Sequence, residues 1–259
     1  MTGELVAVAV VVAVVVSTNV WVHLGSPRTH LVTGPLGALA LVLAGRAAGL
    51  TWAQLGLAPD RLAVGVAAGL AGAALVAAAL GAGAVLPATR VTFLDSRYDV
   101  PLREALRTAL VTIPLATVVF EETAFRGVLW GELERTAGGL AATAGSAVLF
   151  GVWHVLPALH VSRTSVVITG AGRRSSRRTL LTVLGVVAGT ALAGVVLAEL
   201  RRRTGSLVAP MLVHWAANGC AVLASSLVWA RHRGSLAQDE ARLGAGQESG
   251  DVHPQGRES

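Results

Sequence analysis

The sequence predicts an all-α fold: a polytopic membrane helix bundle of about seven transmembrane helices, within a range of six to eight. Three observations carry this. Of 259 residues, 53% are hydrophobic and only 14% charged, with a mean hydropathy of +0.64, whereas a soluble domain carries roughly 25% charged residues. The apolar residues gather into runs of about 20, the length that crosses a bilayer. Backbone polar groups in lipid must be satisfied within their own segment, which leaves helices as the architecture for such runs. The same composition excludes disorder for the main body. The single Cys220 excludes an intramolecular disulfide framework and a multi-cysteine metal site.

Candidate spans fall at 5–23, 31–50, 62–86, 106–131, 138–159, 180–199 and 206–229. The first has no basic n-region, carries Glu4 and lacks a small-residue cleavage site, so it reads as a retained helix and not a signal peptide. Residues 51–61 are too polar to span and read as a short interfacial helix with Trp52 at headgroup level. Residues 231–259, polar and Gly-rich, read as a disordered tail. The organisation expected is thus N-terminal transmembrane helices over 1–50, a catalytic helix bundle over 51–230, and the tail. Small-residue pairs four apart, Gly65/Gly69, Gly127/Gly131 and Gly185/Gly189, would let helices pack closely.

All 21 basic residues are arginine, alongside heavy Ala, Val and Gly usage. That is the mark of a GC-rich coding bias and points to a bacterial cell membrane. The arginines sit mostly between apolar spans, so they report topology and not nucleic-acid binding. Their excess, driven by Arg173, Arg174, Arg177 and Arg178, places the N-terminus outside and the C-terminus inside, against the pull of Arg201–Arg203. The basic loop 161–179 reads first as part of that signal, with anionic lipid or an acidic substrate segment as its other use.

The informative residues are those the membrane should exclude, since an ionisable group at a helix centre costs at least about 2.5–3.5 kcal/mol. The first set is Phe120-Glu121-Glu122-Thr123-Ala124-Phe125-Arg126. Glu122 and Arg126, at i and i+4, are expected to form a buried ion pair. Glu121, pointing about 100° away, has no local cation and is available for proton transfer. The second is Phe150-Gly-Val-Trp-His154; a lone histidine there serves either catalysis or an interhelical hydrogen bond. The third is His214-Trp-Ala-Ala-Asn218, whose imidazole and carboxamide share a helix face. Together they can hold an anionic oxygen or act as polar glue between helices. A carboxylate, a histidine and a His/Asn pair on three helices are the parts for water-mediated amide hydrolysis. No Ser-His-Asp set is suggested, because every aspartate falls outside the spans. Zinc on Glu121, Glu122, His154 and His214 remains chemically conceivable, but no zincin pattern is present, and asparagine is a rare zinc ligand.

In these three motifs the sequence resembles the CPBP family of intramembrane proteases, which includes the CAAX prenyl endopeptidases and bacteriocin-processing or immunity proteins. The matching residues are Glu121-Glu122…Arg126, Phe150…His154 and His214…Asn218, in that order, with Leu55-Gly-Leu57 ahead of them. The resemblance covers roughly 50–229. It implies a glutamate-dependent endopeptidase in which Glu121 is the general base, His154 helps bind and activate water, and His214 and Asn218 stabilise the oxyanion. Glu122, Arg126 and Phe150 would support them. The scheme implied needs no cofactor, and a divalent metal such as zinc is not favoured. The partners expected are the lipid bilayer and a membrane-associated peptide or protein substrate, with no nucleic acid. Two other functions compete: a non-catalytic immunity or scaffold protein, and a proton-coupled transporter, the latter weakened by the lack of an internal repeat.

Overall fold

The computed structural model describes residues 13, 14, 17, 30–164 and 176–250. Among these residues the fold is helical, with no β-strand. The chain is a multi-pass helical membrane protein. Seven helices position the site: α1 (His30–Ala47), α2 (Leu62–Val85), α3 (Leu102–Ala137), α4 (Gly139–Trp153), α5 (Val155–Thr164), α6 (Ser176–Thr204) and α7 (Val208–Gly250). Five segments among the described residues are long and apolar enough to cross a membrane: Pro59–Val85, Leu102–Ala137, Gly139–Leu159, Ser176–Thr204 and Val208–Ser235. Helix α1 is apolar but shorter, and the candidate span 5–23 lies outside the described residues but for Ala13, Val14 and Ser17.

Local chemistry sets the boundaries. Helix α2 is an uncharged run of Ala, Val, Leu and Gly, opened by Pro59 in a preceding 3₁₀ turn and closed before Pro87; proline suits a first turn and cannot continue a helix. Helix α3 ends at Gly138, whose φ of +83° is the left-handed conformation that glycine adopts without strain. Within α3, Thr108–Val118 and Thr123–Leu129 wind as wider π-helix. Pro114, which has no N–H to give, sits inside the first stretch. Such windings are frequent at functional sites.

The main core joins α1, α3 and α4 through Leu41, Phe120, Phe125, Phe150 and Trp153, with Leu50 and Leu55 of the connecting segment. Helix α1 lies close on α3: a Cβ at Gly34 would sit 2.6 Å from the carbonyl oxygen of Leu115. Helix α2 packs on α7, where a Cβ at Gly69 would meet Leu212 at 2.8 Å. On α3, Gly131 lets the carbonyl oxygen of Gln54 approach to 2.8 Å of where its Cβ would stand. The pair Gly185/Gly189 differs, because neither faces any atom within 4 Å.

Three further expectations change. Residues 51–58 form turns and not an interfacial helix, because Gly56 takes φ +75° and Pro59 follows; only Pro59–Arg61 is helical, as a 3₁₀ turn. This segment is clamped by Arg201, which donates to the carbonyl oxygens of Ala53 and Gln54 at 2.9 Å each and lies over the Trp130 ring. The expected tail is also different: α7 continues through Gly250 as one unbroken helix. Ala, Leu, Gln, Glu and Arg, all strong helix formers, fill much of 236–243 and let the ladder of α7 run on. Residues 251–259 lie outside the described residues, as do 165–175 of the basic loop. Finally, the span 138–159 is broken at His154, where α4 ends and α5 begins.

Candidate active site

The two adjacent glutamates sit in the middle of α3, between its two π-helical stretches. At 1.5 Å per residue they lie roughly 28 Å from Leu102 and roughly 24 Å from Ala137. Their side chains leave the helix in different directions and find different partners. Glu122, fully buried, accepts from Arg126 Nη1 at 2.9 Å, so the i, i+4 ion pair forms. The same Oε1 faces His214 Nδ1 on α7 at 2.7 Å. A carboxylate only accepts, so the Nδ1 proton points at Glu122 and fixes the ring's orientation. Arg126 also lies over the Phe150 ring, 4.0 Å from its centroid. The motif residues of α3, α4 and α7 thus interlock around one buried charge pair.

Glu121 is 7% exposed and turns toward α4. Its Oε1 accepts from the indole N–H of Trp153 at 3.0 Å. Its Oε2 has no hydrogen-bond partner and lies 3.8 Å from His214 Nε2. A buried carboxylate oxygen with an open lone pair, beside an imidazole, is equipped to take a proton.

The two histidines are held differently. His154 Nδ1 is 2.8 Å from the carbonyl oxygen of Phe150. A carbonyl cannot donate, so Nδ1 carries the proton and Nε2 keeps a lone pair. The half-buried ring also packs edge-on against Phe150, with centroids 4.6 Å apart. His214 Nε2 is 3.1 Å from Asn218 Nδ2. With Nδ1–H directed to Glu122, Nε2 is the acceptor and the Asn218 amide the donor, which leaves one further amide N–H of Asn218 uncommitted here. Phe150, 3% exposed, stands between the rings and sets both: its centroid is 5.9 Å from that of His214, at an interplanar angle of 87°.

Each of the seven residues singled out from the sequence therefore lies in or beside this cluster. Trp153 was not among them. Its signal was an indole inside an apolar span, since a buried Trp N–H needs an acceptor. Two other buried charges also escaped notice: Glu132, joined to Arg135 at 2.5 Å, and Arg201. Sequence periodicity gives no sign of either.

Among the described residues no group of three His, Cys, Asp or Glu side chains is arranged to hold a metal ion. Both ring nitrogens of His214 are already engaged by Glu122 and Asn218.

The family model for type II CAAX prenyl endopeptidase Rce1-like proteins matches residues 104–220. That stretch belongs to the CAAX protease family. It runs from the first turn of α3 into the first third of α7 and contains all seven of the site residues described above. No curated protein and no solved structure matches the chain. The likeness over this stretch agrees with a multi-pass membrane protein whose polar residues converge inside the bundle.

Proposed function

We propose that this protein is an intramembrane endopeptidase that hydrolyses a peptide bond in a membrane-associated peptide or protein without a metal. The observation that carries the reading is the unpartnered Oε2 of buried Glu121, held in place by Trp153 through the other oxygen. In the scheme, Glu121 Oε2 removes a proton from water, with the Nε2 lone pair of His154 accepting the second water hydrogen and fixing the molecule. The water oxygen attacks the carbonyl carbon and the carbonyl becomes an oxyanion. The uncommitted Asn218 N–H donates to that oxyanion; His214 Nε2 can join it only when the ring carries both protons. The protonated Glu121 then passes its proton to the departing amide nitrogen, the C–N bond breaks, and a carboxyl group and an amine result. Glu122 and Arg126 take no proton here; they fix His214 and tie α3 to α7. Preorganised donors aimed at developing charge are usually the largest catalytic term.

The test compares peptide N-termini in the host membrane fraction between wild type and Glu121→Gln at matched abundance. Glutamine keeps the size and the acceptor for Trp153 but cannot take the proton. Termini present with the wild type should vanish with the variant. Identical profiles from a folded variant would overturn the proposal and favour a non-catalytic immunity or scaffold role.

A further inference from the structure

A second polar feature lies away from this cluster, where α2 and α7 leave the span region at the same end. There the turn after α2 and the last apolar turns of α7 enclose a cavity of about 350 Å³. Its polar lining is Arg90, Arg231, His232 and Ser235, against an apolar wall of Val91 and Val228. No carboxylate lines it. The nearby acids are used elsewhere: Asp95 is held by Arg97 at 2.6 Å and Asp99 pairs with Arg233. Among the described residues Arg90 and Arg231 have no carboxylate partner. Trp229, one turn from Arg233, anchors this end by donating to the carbonyl oxygen of Asp95 at 2.9 Å.

The cavity adjoins an apolar groove of about 260 Å³ between α2 and α7, the two sharing Val228 and Arg231. Ala77, Gly81 and Ala84 form one wall, spaced i, i+4 and i+7 on a single helix face, and Leu223 and Leu227 stand opposite. From Ala77 to Val85 the groove follows α2 for about 12 Å. It is open: a Cβ at Gly81 would meet nothing within 4 Å. The side of α7 that carries His214 is turned elsewhere, toward α3, where Trp215 bonds the carbonyl oxygen of Ala109.

A cationic chamber at a helix end, beside an apolar groove running toward the bundle's mid-depth, has the chemistry of a site for an amphiphile with an anionic head. We propose that it binds an anionic phospholipid, with the phosphate between Arg90 and Arg231 and one acyl chain along the α2–α7 groove. The arginine distribution in the sequence assigns this end to the cytoplasmic side, where the anionic leaflet lies. Ser235 and His232 complete the head site as hydrogen-bonding groups.

The test is native mass spectrometry of the full chain from a neutral detergent, titrated separately with phosphatidylglycerol, phosphatidylcholine and inorganic phosphate. Phosphatidylglycerol should be retained in preference to phosphatidylcholine, and inorganic phosphate should not compete at equal concentration. Arg90→Gln with Arg231→Gln should weaken phosphatidylglycerol binding about 30-fold, taking each arginine at about fivefold. Gly81→Leu, whose Cβ has open space and whose side chain would occupy the groove, should weaken it as well, while Gly185→Leu on α6, where a Cβ also meets nothing, should leave it unchanged. All variants change exposed or open positions and should keep the wild-type melting temperature. Equal retention of both lipids, wild-type binding by the double glutamine variant, or full competition by inorganic phosphate would each overturn the proposal. So would a dimeric mass that the glutamine variant abolishes, which would give the surface to a second copy of the chain.

Discussion

Replacing Arg126 by methionine removes the cation around which Glu122 is built. Both side chains are fully buried and 2.9 Å apart. Breaking one member of such a pair leaves an uncompensated charge and costs about 3–5 kcal/mol. Losing the desolvated contact with the Phe150 ring adds about 2 kcal/mol. Against this, Arg126 Nε and Nη2 are buried without acceptors, so removing them returns roughly 1–3 kcal/mol. The balance is a loss of about 4 kcal/mol for Arg126→Met. Glu122→Gln with Arg126→Met should recover about half of that, because no lone charge remains and an amide oxygen at 122 still accepts from His214 Nδ1. The four proteins of the cycle can be compared by reversible unfolding in mixed micelles, followed by circular dichroism. A coupling energy near zero, or a single-variant cost under about 1 kcal/mol, would refute the buried-pair reasoning.

Trp153→Phe removes the donor to Glu121 while keeping most of the packing in the aromatic cluster. A hydrogen bond to a charged group is worth about 1.5–3 kcal/mol, so kcat should fall about 10- to 150-fold with KM little changed; a KM effect alone would mean that the indole binds substrate instead of positioning the base. Gly69→Leu should destabilise the protein by several °C in melting temperature, because its side chain would drive α2 off Leu212 and Ala209, and Gly185→Leu should not. Equal effects at the two positions would show that helix packing is not what the glycine at 69 serves.

How far the sequence reached depends on the range of each interaction. The Glu122–Arg126 pair was legible because an α-helix brings i and i+4 together whatever surrounds it. The spans were legible because lipid imposes a length on apolar runs. The link from Glu122 to His214 crosses 92 residues, and no local rule pairs those two helices. Reading His214 and Asn218 as one helix face was right in geometry, and the structure adds that the two are bonded to each other, which makes the ring an acceptor at Nε2. Hydropathy cannot see the π-helical winding of α3 or the break at His154, since both are changes of backbone path within apolar sequence. Arg201 looked like part of a surface cluster with Arg202 and Arg203; it is buried because the carbonyls of 53 and 54 come to meet it.

That clamp bears on how the chain can be cut. Arg201 and the N–H of Leu207 both bond to the 51–58 segment, Leu207 reaching the carbonyl oxygen of Gly56 at 2.8 Å. Helix α1 fills the hollow over Phe120 beside the glutamates, with Gly37 against that ring. Excising 104–220 would therefore strip three backbone acceptors from the end of α6 and the start of α7, and would bare the back of the helix that bears Glu121 and Glu122. The stretch that carries the family likeness is a unit of descent, while the unit of folding begins at least as early as α1.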